Sequence, residues 1–479
     1  MGEIIPLISS DLEEVFSANI AEYGYQRKKD NSKLDNNDEE TYRTELRRQR
    51  DKILYTGGFR RLQDKTQVIS ATVLGDHRTR LTHTLEVEQI AISIANALQL
   101  NVDLVSAIAL GHDVGHTPFG HAAERKLNKL LKDNGQFHHP IQSVRYLWEK
   151  YGSKIEQEIY EGILLHDSDM FEIEKSEVKA QFRYLKNVKG ETIEFENWVK
   201  INEWINSFPS TLEAQVVIWA DKIAYITHDL EDFLRCSAFT NLKNNDATIE
   251  KKLCCILNKL IVNKSIRRLK NYESRDLIRN IISNLINSSA ENINLIDDLT
   301  QDGVKKETEK RYKSRGSNDK TKDNKKYLDG LLINFSDAYR AYYYELRKFL
   351  DKSYILSPEV QKSDAKAEVI IDWLFNKLSS NYKLLPLKLR EEVDNTIDEV
   401  YNNQAYVLSF KEKIEIYIEY IDVKRSNPLS KKIIEDIIKN KIREKVISRK
   451  VACYIATMSD TYAENMYRDL LGSRGDFIL

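Results

Sequence analysis

An all-α fold with minor β-hairpin content is what the 479-residue sequence predicts, on three observations. Apolar residues recur at helical spacings along most of the chain. Only 17 Gly and 7 Pro are available for tight turns. Strand-like alternation is confined to KGETIEFENWV at residues 189–199, read as a small hairpin. With 41% hydrophobic and 31% charged residues the chain can bury a core, which excludes collagen-like, disulfide-stapled and mostly disordered classes. Lys+Arg 73 against Asp+Glu 74 leave a formal charge of -1, so any basic site is local rather than a property of the whole chain.

The elements follow in order. Residues 23–40 are polar and lack an apolar period, so residues 1–41 are expected to form an N-terminal arm, with order beginning near Tyr42. Leu81, Leu85, Ile90, Ile94 and Leu98 trace the buried stripe of one helix, and Val102 to Leu110 continue as a second. GHDVGHTP breaks the pattern; Thr117 and Pro118 read as the N-cap and first residue of a helix running through AAERKLNKLL. Leu212 to Leu234 form another strongly apolar helix. Residues 241–330 read as a charged helical insertion in which VKKETEKRYKSRGSNDKTKDNKK is a solvated, flexible loop. Residues 331–479 return to helices packing on the core, and Val451, Tyr454, Ile455, Met458 and Tyr462 form an apolar stripe near the end. Cys236, Cys254, Cys255 and Cys453 show no metal or disulfide spacing and read as reduced thiols. The chain opens without a charged-then-apolar leader, and no apolar run reaches the roughly 18 residues of a membrane span. A soluble, cytoplasmic protein with no membrane partner is expected.

All nine histidines lie between His77 and His228. Neutral imidazole is a good ligand for divalent transition metals and carboxylates add harder oxygen donors, so this concentration points to a metal site. Taken singly, His77, His138, His166 and His228 read as ordinary core or surface histidines. His83 is followed by Val87, Ile90 and Ile94 at helical spacings, which turns its ring toward the core, where it needs a partner. His112 and Asp113 fall where the second apolar helix ends, and Asp221 lies within the third, where an unpaired carboxylate is costly. One divalent ion would satisfy all four side chains. A hydrogen-bonded His/Asp network would do so equally, and spacing does not choose between them.

His121 and Glu124, three apart on the first turns of the helix after Pro118, are spaced so that the carboxylate can orient the ring, as acid/base work requires; a surface pair has the same spacing. The start of that helix favours negative charge, which suits a polyphosphate. Lys222, Tyr225 and Asp229 share one helical stripe adjoining Asp221 and would serve a phosphate, a sugar face and a sugar hydroxyl, or else form a solvated polar edge. Arg43, Arg47, Arg48 and Arg50 make a basic face that either touches nucleotide or nucleic acid or is solvated.

In this order, RTRLTHTLEV, GHDVGHTPFGHAAE and WADKIAYITHD resemble the H...HD...D signature of HD-domain phosphohydrolases and, more narrowly, the deoxyguanosine triphosphate triphosphohydrolase (dGTPase) family. YRTELRRQRDKILYTGGFRRLQDKTQV, FHHPIQS and YIATMSDTYA extend the resemblance over roughly residues 42–235 and 446–470. It implies an HD-domain helical fold with residues 42–240 as the catalytic core, 241–330 as an insertion and 331–479 as a C-terminal helical part. It implies a divalent metal on His83, His112, Asp113 and Asp221. Mn or Mg is expected first, while Fe, Co, Ni and Zn also suit two imidazoles and two carboxylates. It implies His121 and Glu124 as the acid/base pair, with Arg80, His116 and His139 near the phosphates. Lys222 would contact phosphate, Tyr225 the deoxyribose, and Asp229 and Gln67 the 3'-hydroxyl. The reaction implied is attack of water at the α-phosphorus of a deoxynucleoside triphosphate, dGTP among them, releasing deoxynucleoside and inorganic triphosphate. A homo-oligomer, tetramer or hexamer, and a nucleotide or single-stranded DNA effector are further expectations. The alternatives are an HD-type phosphodiesterase or pyrophosphohydrolase acting on a signalling nucleotide, and a non-catalytic nucleotide or single-stranded nucleic-acid binder.

Overall fold

Short polar side chains start the helices that matter most. The side chains of Thr44, Thr79, Asn101 and Thr211 each accept a hydrogen bond from the backbone N–H three residues on, satisfying donors that the first helical turn leaves open. The computed structural model describes residues 9–27, 42–67, 78–167, 181–182, 208–246, 248–316, 328–402 and 428–471. In chain order these form α1 (Ser9–Ser17), α2 (Glu45–Leu54), α3 (Gly57–Arg61), α4 (Arg80–Ala97), α5 (Val102–Gly111) and α6 (Gly120–Leu130). Next come α7 (His139–Tyr151), α8 (Gln157–Leu164), α9 (Leu212–Arg235), α10 (Ser237–Asn245), α11 (Ile249–Leu260) and α12 (Ser274–Asn294). The chain continues through α13 (Gln301–Gly316), α14 (Asp337–Leu350), α15 (Pro358–Ser380), α16 (Leu387–Asn402), α17 (Pro428–Ala456) and α18 (Asp460–Leu471). The fold is all-α: among the described residues, strand pairing is limited to one antiparallel bridge between Thr66 and Thr79. The hairpin expected at 189–199 lies outside the described residues, and no described helix is long and apolar enough to cross a membrane.

Helices α5 and α9 are the centre. Every residue from Asp103 to Gly111, and from Leu212 to Ala220, is buried, the pattern of helices enclosed on all sides. α4 packs against both, and α2 and α8 close over α5. Their apolar side chains join those of α11, α12 and α14 in one continuous core. A second core is separate. It gathers Ala123, Leu127 and Leu131 from α6 and the stretch after it with Ile371 and Leu374 of α15, Val393 of α16, and Val446, Val451 and Ile455 of α17. The helix bearing His121 and Glu124 is therefore seated on the C-terminal helices, not on the central pair.

Several expectations are corrected. Thr117 is not the cap of α6; its hydroxyl donates to the Gly120 carbonyl at 2.9 Å, and two residues with positive φ, Phe119 (59°) and Gly120 (63°), turn the chain before the helix begins. The charge run from Val304 is helical through Gly316, because Val304 and Thr308, one turn apart, are both buried. The segment before Tyr42 carries helix α1, and its following stretch is tied to the core: the Tyr25 N–H donates to Glu213 at 2.8 Å and its hydroxyl to Glu156 at 2.7 Å. The stripe from Val451 to Tyr462 is broken at a corner between α17 and α18; Val451, Ile455 and Met458 are buried, whereas Tyr462 is exposed and shares a 3.0 Å hydrogen bond with Tyr454.

The histidine-rich corner between α5 and α6 lies directly on α7. The Gly115 N–H donates to Ser143 Oγ at 3.0 Å, and that hydroxyl donates to the His112 carbonyl at 2.8 Å. A Cβ at Gly115 would stand 2.2 Å from the Ser143 backbone nitrogen, so only glycine permits this approach. Gly115→Ala is expected to lower unfolding free energy by about 3 kcal/mol, the upper end for overpacking because backbone must move; denaturant titration checks it.

Candidate active site

A cleft of about 770 Å³ opens where α4, the end of α5, α6, the start of α7 and α9 meet, with α14 and α15 as its far wall. His83, on α4, turns Nε2 to Asp221 Oδ1 at 2.9 Å and Nδ1 to His228 Nδ1 at 3.4 Å. His112 sets Nδ1 2.6 Å from the Ala109 carbonyl, so that nitrogen donates to it and Nε2 is the one turned toward the carboxylates. This Nε2 is buried and hydrogen-bonded to nothing, 3.6 Å from Asp113 Oδ2 and 3.9 Å from Asp221 Oδ1. Ligand atoms of His83, His112 and Asp113 all lie within 4.8 Å of one another. Burial works to raise the Asp113 carboxyl, but Arg80, whose Nη1 donates to Oδ2 at 2.5 Å, and then His112 hold it well below the usual carboxylate range. Burial likewise opposes ionisation of Asp221, and His83 outweighs it. Two ionised carboxylates and an unpartnered imidazole nitrogen thus face one another. Acceptors so arranged repel unless a cation lies among them, and the donor set of imidazole nitrogen and carboxylate oxygen is what a divalent ion takes. The four side chains fit such an ion.

A second polar group adjoins the first. His121 is half-exposed to the cleft, and its Nδ1 lies 3.2 Å from Glu124 Oε2. Glu124 Oε1 accepts from the His139 N–H at 2.7 Å and from its Nδ1 at 2.9 Å. Burial favours the neutral acid, but His139 and then His121 keep Glu124 well below the ordinary range. Burial would also lower His139, yet Glu124 outweighs it and pushes the imidazolium up to about 9. His139 Nε2 lies 3.2 Å from Nε2 of His166. His166, whose Nδ1 donates to the Ile163 carbonyl at 2.7 Å, is pushed down to about 4 by burial and then by His112, so it is neutral and accepts. His139 is thus a cation held between an acceptor on each side. His116, fully buried, is held neutral by burial and by Arg80, with Nε2 unpartnered 3.8 Å from Glu124.

The residues predicted for substrate reach the cleft unevenly. Gln67, Arg80, Lys222 and Tyr225 line it, and Gln67 Oε1 and two Arg80 nitrogens are buried without a hydrogen bond. Asp229 lies behind Tyr225, 1% exposed, with neither oxygen hydrogen-bonded; burial, against the pull of Arg347, pushes its carboxyl up to about 8. His116 is enclosed and does not line the cleft. The basic face of α2 is internally paired: Arg43 and Arg50 lie 2.6 and 2.7 Å from Asp51, Arg47 3.3 Å from Asp103 and Arg48 2.5 Å from Glu45.

Sequence reasoning passed over several residues. His166 and His228, read as ordinary, touch the candidate ligands, while His77 lies outside the described residues. The signals were the second His-Asp pair at 166–167 and the place of His228 two helical turns beyond Asp221. Arg347 of α14 stacks 4.1 Å over the Tyr225 ring and stands 3.8 Å from Asp229, and Tyr343 donates to the Lys222 carbonyl at 2.9 Å. No local pattern links these two to α9.

Residues 80–226 match the HD domain family and residues 333–408 the phosphohydrolase-associated domain family. A deoxyguanosinetriphosphate triphosphohydrolase-like protein of Rickettsia bellii is 33% identical over 370 residues, covering 74% of this chain and 85% of that protein. Proteins with the same description from Rickettsia canadensis and Thiobacillus denitrificans are each 32% identical, over 386 and 371 residues, covering 77% and 74% of this chain and 90% and 85% of their own lengths. With the motif order, the helical fold and the clustered His/Asp donors pointing the same way, the chain belongs to the deoxyguanosinetriphosphate triphosphohydrolase-like family of HD-domain phosphohydrolases.

Proposed function

We propose that this protein is a metal-dependent triphosphohydrolase converting deoxynucleoside triphosphates, dGTP among them, to deoxynucleoside and inorganic triphosphate. The observation that carries the reading is the junction of two groups in one cleft: the unshared His112 Nε2 between carboxylates, and the His121–Glu124–His139 cluster beside it. His83, His112, Asp113 and Asp221 would hold the ion, Mn or Mg in the first place. When bound, a divalent ion there lowers the pKa of water and neutralises charge on the α-phosphate.

The chain's own residues do the rest. Water oxygen bonds to the α-phosphorus as the bond from phosphorus to the 5'-oxygen breaks; His121 gives its proton to the 5'-oxygen, and the proton that the attacking water loses to solvent is matched by one that His121 regains. Ionised Glu124 orients the His121 ring. His139, a fixed cation, together with Arg80 and Lys222, places positive charge where a triphosphate carries its negative charge. Tyr225 packs under the deoxyribose, leaving no room for a 2'-hydroxyl, and Gln67 and Asp229 bond the 3'-hydroxyl. With its carboxyl at about 8, Asp229 at neutral pH is largely the protonated acid, able to donate to a hydroxyl as well as accept from it.

Incubating the four dNTPs and four rNTPs with the protein and Mn or Mg is expected to release inorganic triphosphate from dNTPs alone; pyrophosphate or nucleoside monophosphate as product overturns the reading. His121→Ala should lower kcat by roughly 10²–10⁴-fold, with Mn(II) affinity retained in a calorimetric titration. For His139, the proton bound in the folded protein is lost as pH rises through about 9, so KM for the triphosphate should rise across that interval. His139→Gln should raise KM already at pH 7 and flatten the profile, as steady-state kinetics from pH 6 to 10 would report.

A further inference from the structure

The C-terminal motif YIATMSDTYA lies in the corner between α17 and α18, far in sequence from the histidines, and the proposed chemistry makes no use of it. Asp460, the first residue of α18, is buried and joins two distant segments. Its Oδ2 accepts from the Thr66 N–H at 2.9 Å and the Thr66 hydroxyl at 2.5 Å, and its Oδ1 accepts from the Phe119 N–H at 2.8 Å. Beside it Lys65, also buried, donates its ammonium to the His116 carbonyl and, at 2.8 Å, to the Ala456 carbonyl at the end of α17. The Lys65 carbonyl in turn accepts from the Arg80 N–H at 2.9 Å, at the start of the helix bearing His83. Three stretches of chain, 64–67, 116–120 and 456–460, are bound into one knot by two buried polar side chains.

What the knot holds is the start of α6. Phe119 is the residue before that helix; it caps nothing with its side chain and sits at φ 59°, a conformation that disfavours any residue with a Cβ. Its N–H bond to Asp460 opposes relaxation out of that conformation. His121 follows two residues later, and its recorded side-chain partner, Glu124, is on the same helix. The apolar face of α6 rests on the C-terminal helices and its start on Asp460, while Glu124 bonds back to His139 at the start of α7. The candidate ligands His83, His112 and Asp221 belong to α4, α5 and α9, which the central core holds independently.

We infer that Asp460 is a positioning residue: with Lys65 it pins Phe119 and so sets His121 and Glu124 against the rest of the cleft, making the C-terminal corner part of the machinery for the reaction. This rests on the acid/base reading of His121 and Glu124, and the test has one arm that does not require turnover.

In the full chain, Asp460→Asn keeps size and shape while replacing one of the two accepting oxygens with an NH2 group. Hydrogen–deuterium exchange is expected to show protection over residues 119–124 falling at least tenfold while α4, α5 and α9 are unchanged; equal exchange in both proteins overturns the inference whether or not the protein cleaves dNTPs. On the substrate that the wild type turns over, kcat should fall at least tenfold with KM within about threefold and Mn(II) affinity within twofold. A parallel loss of melting temperature and Mn(II) affinity would mean a merely structural role and overturn it. Phe119→Gly accepts φ 59° without penalty, so the kcat loss from Asp460→Asn should shrink several-fold in that background, and equal losses in the two backgrounds overturn it. Should Asp460→Asn not fold, Thr66→Val, which deletes one donor to the same carboxylate, is expected to loosen 119–124 in the same direction, and unaltered protection there overturns the inference. Absence of triphosphate release by the wild type would count against the proposed function alone.

Discussion

A buried, unpartnered imidazole nitrogen beside one buried and one half-buried carboxylate is the constraint on which this structure turns. Nε2 of His112 has no hydrogen-bond partner: Asp113 and Asp221, both ionised, stand 3.6 and 3.9 Å away, and Nδ1 is engaged with the Ala109 carbonyl. Leaving such groups together without a cation is costly. The remainder of the central core is arranged so that they cannot separate: α5 and α9 are enclosed on all sides, and α4 packs against both. Arg80 offsets part of the charge by pairing with Asp113, and the same guanidinium has two further nitrogens without hydrogen-bond partners beside the cleft.

The neighbouring polar group shows how proximity sorts protons among chemically identical rings. His139, His166 and His116 are all buried, yet they differ in charge. Glu124 beside His139 overcomes the burial that would neutralise it, whereas His166 and His116 lack so close a carboxylate and stay neutral. His166 can then accept from His139 because its own Nδ1 proton is engaged with the Ile163 carbonyl. The result is one imidazolium paired with ionised Glu124 beside two neutral rings, at the end of the cleft where His121 is exposed.

The division into two cores gives these groups different supports. The candidate metal ligands lie on helices of the central core, while α6, with the His121–Glu124 pair, lies on the C-terminal helices. The relative placement of the two groups depends both on the bonds of Glu124 to His139 and on the bond of the Phe119 N–H to Asp460, 341 positions away.

Much of this was legible in the sequence because it is local. Helical periodicity located α4, α5 and α9, and the turn of His83 toward the core followed from Val87, Ile90 and Ile94 on the same face. The i,i+3 relation of His121 and Glu124 needs only a helix, and the motifs resemble a family to which the chain belongs. Local reasoning failed where a distant contact overrode it. Thr117 and Pro118 read as a helix start, but the bond of the Phe119 N–H to Asp460 accompanies a left-handed conformation at Phe119, and the helix starts after it. The charge run after Val304 folds as helix because tertiary packing buries Val304 and Thr308, which no pattern of charges announces. The reach of Arg347 to Tyr225 and Asp229, the contact of His166 with His139 and the pairing of Arg47 with Asp103 of α5 are likewise properties of assembled helices. Periodicity and spacing are properties of one helix at a time; which faces meet, and which protons and charges then neighbour one another, is decided only when the helices pack.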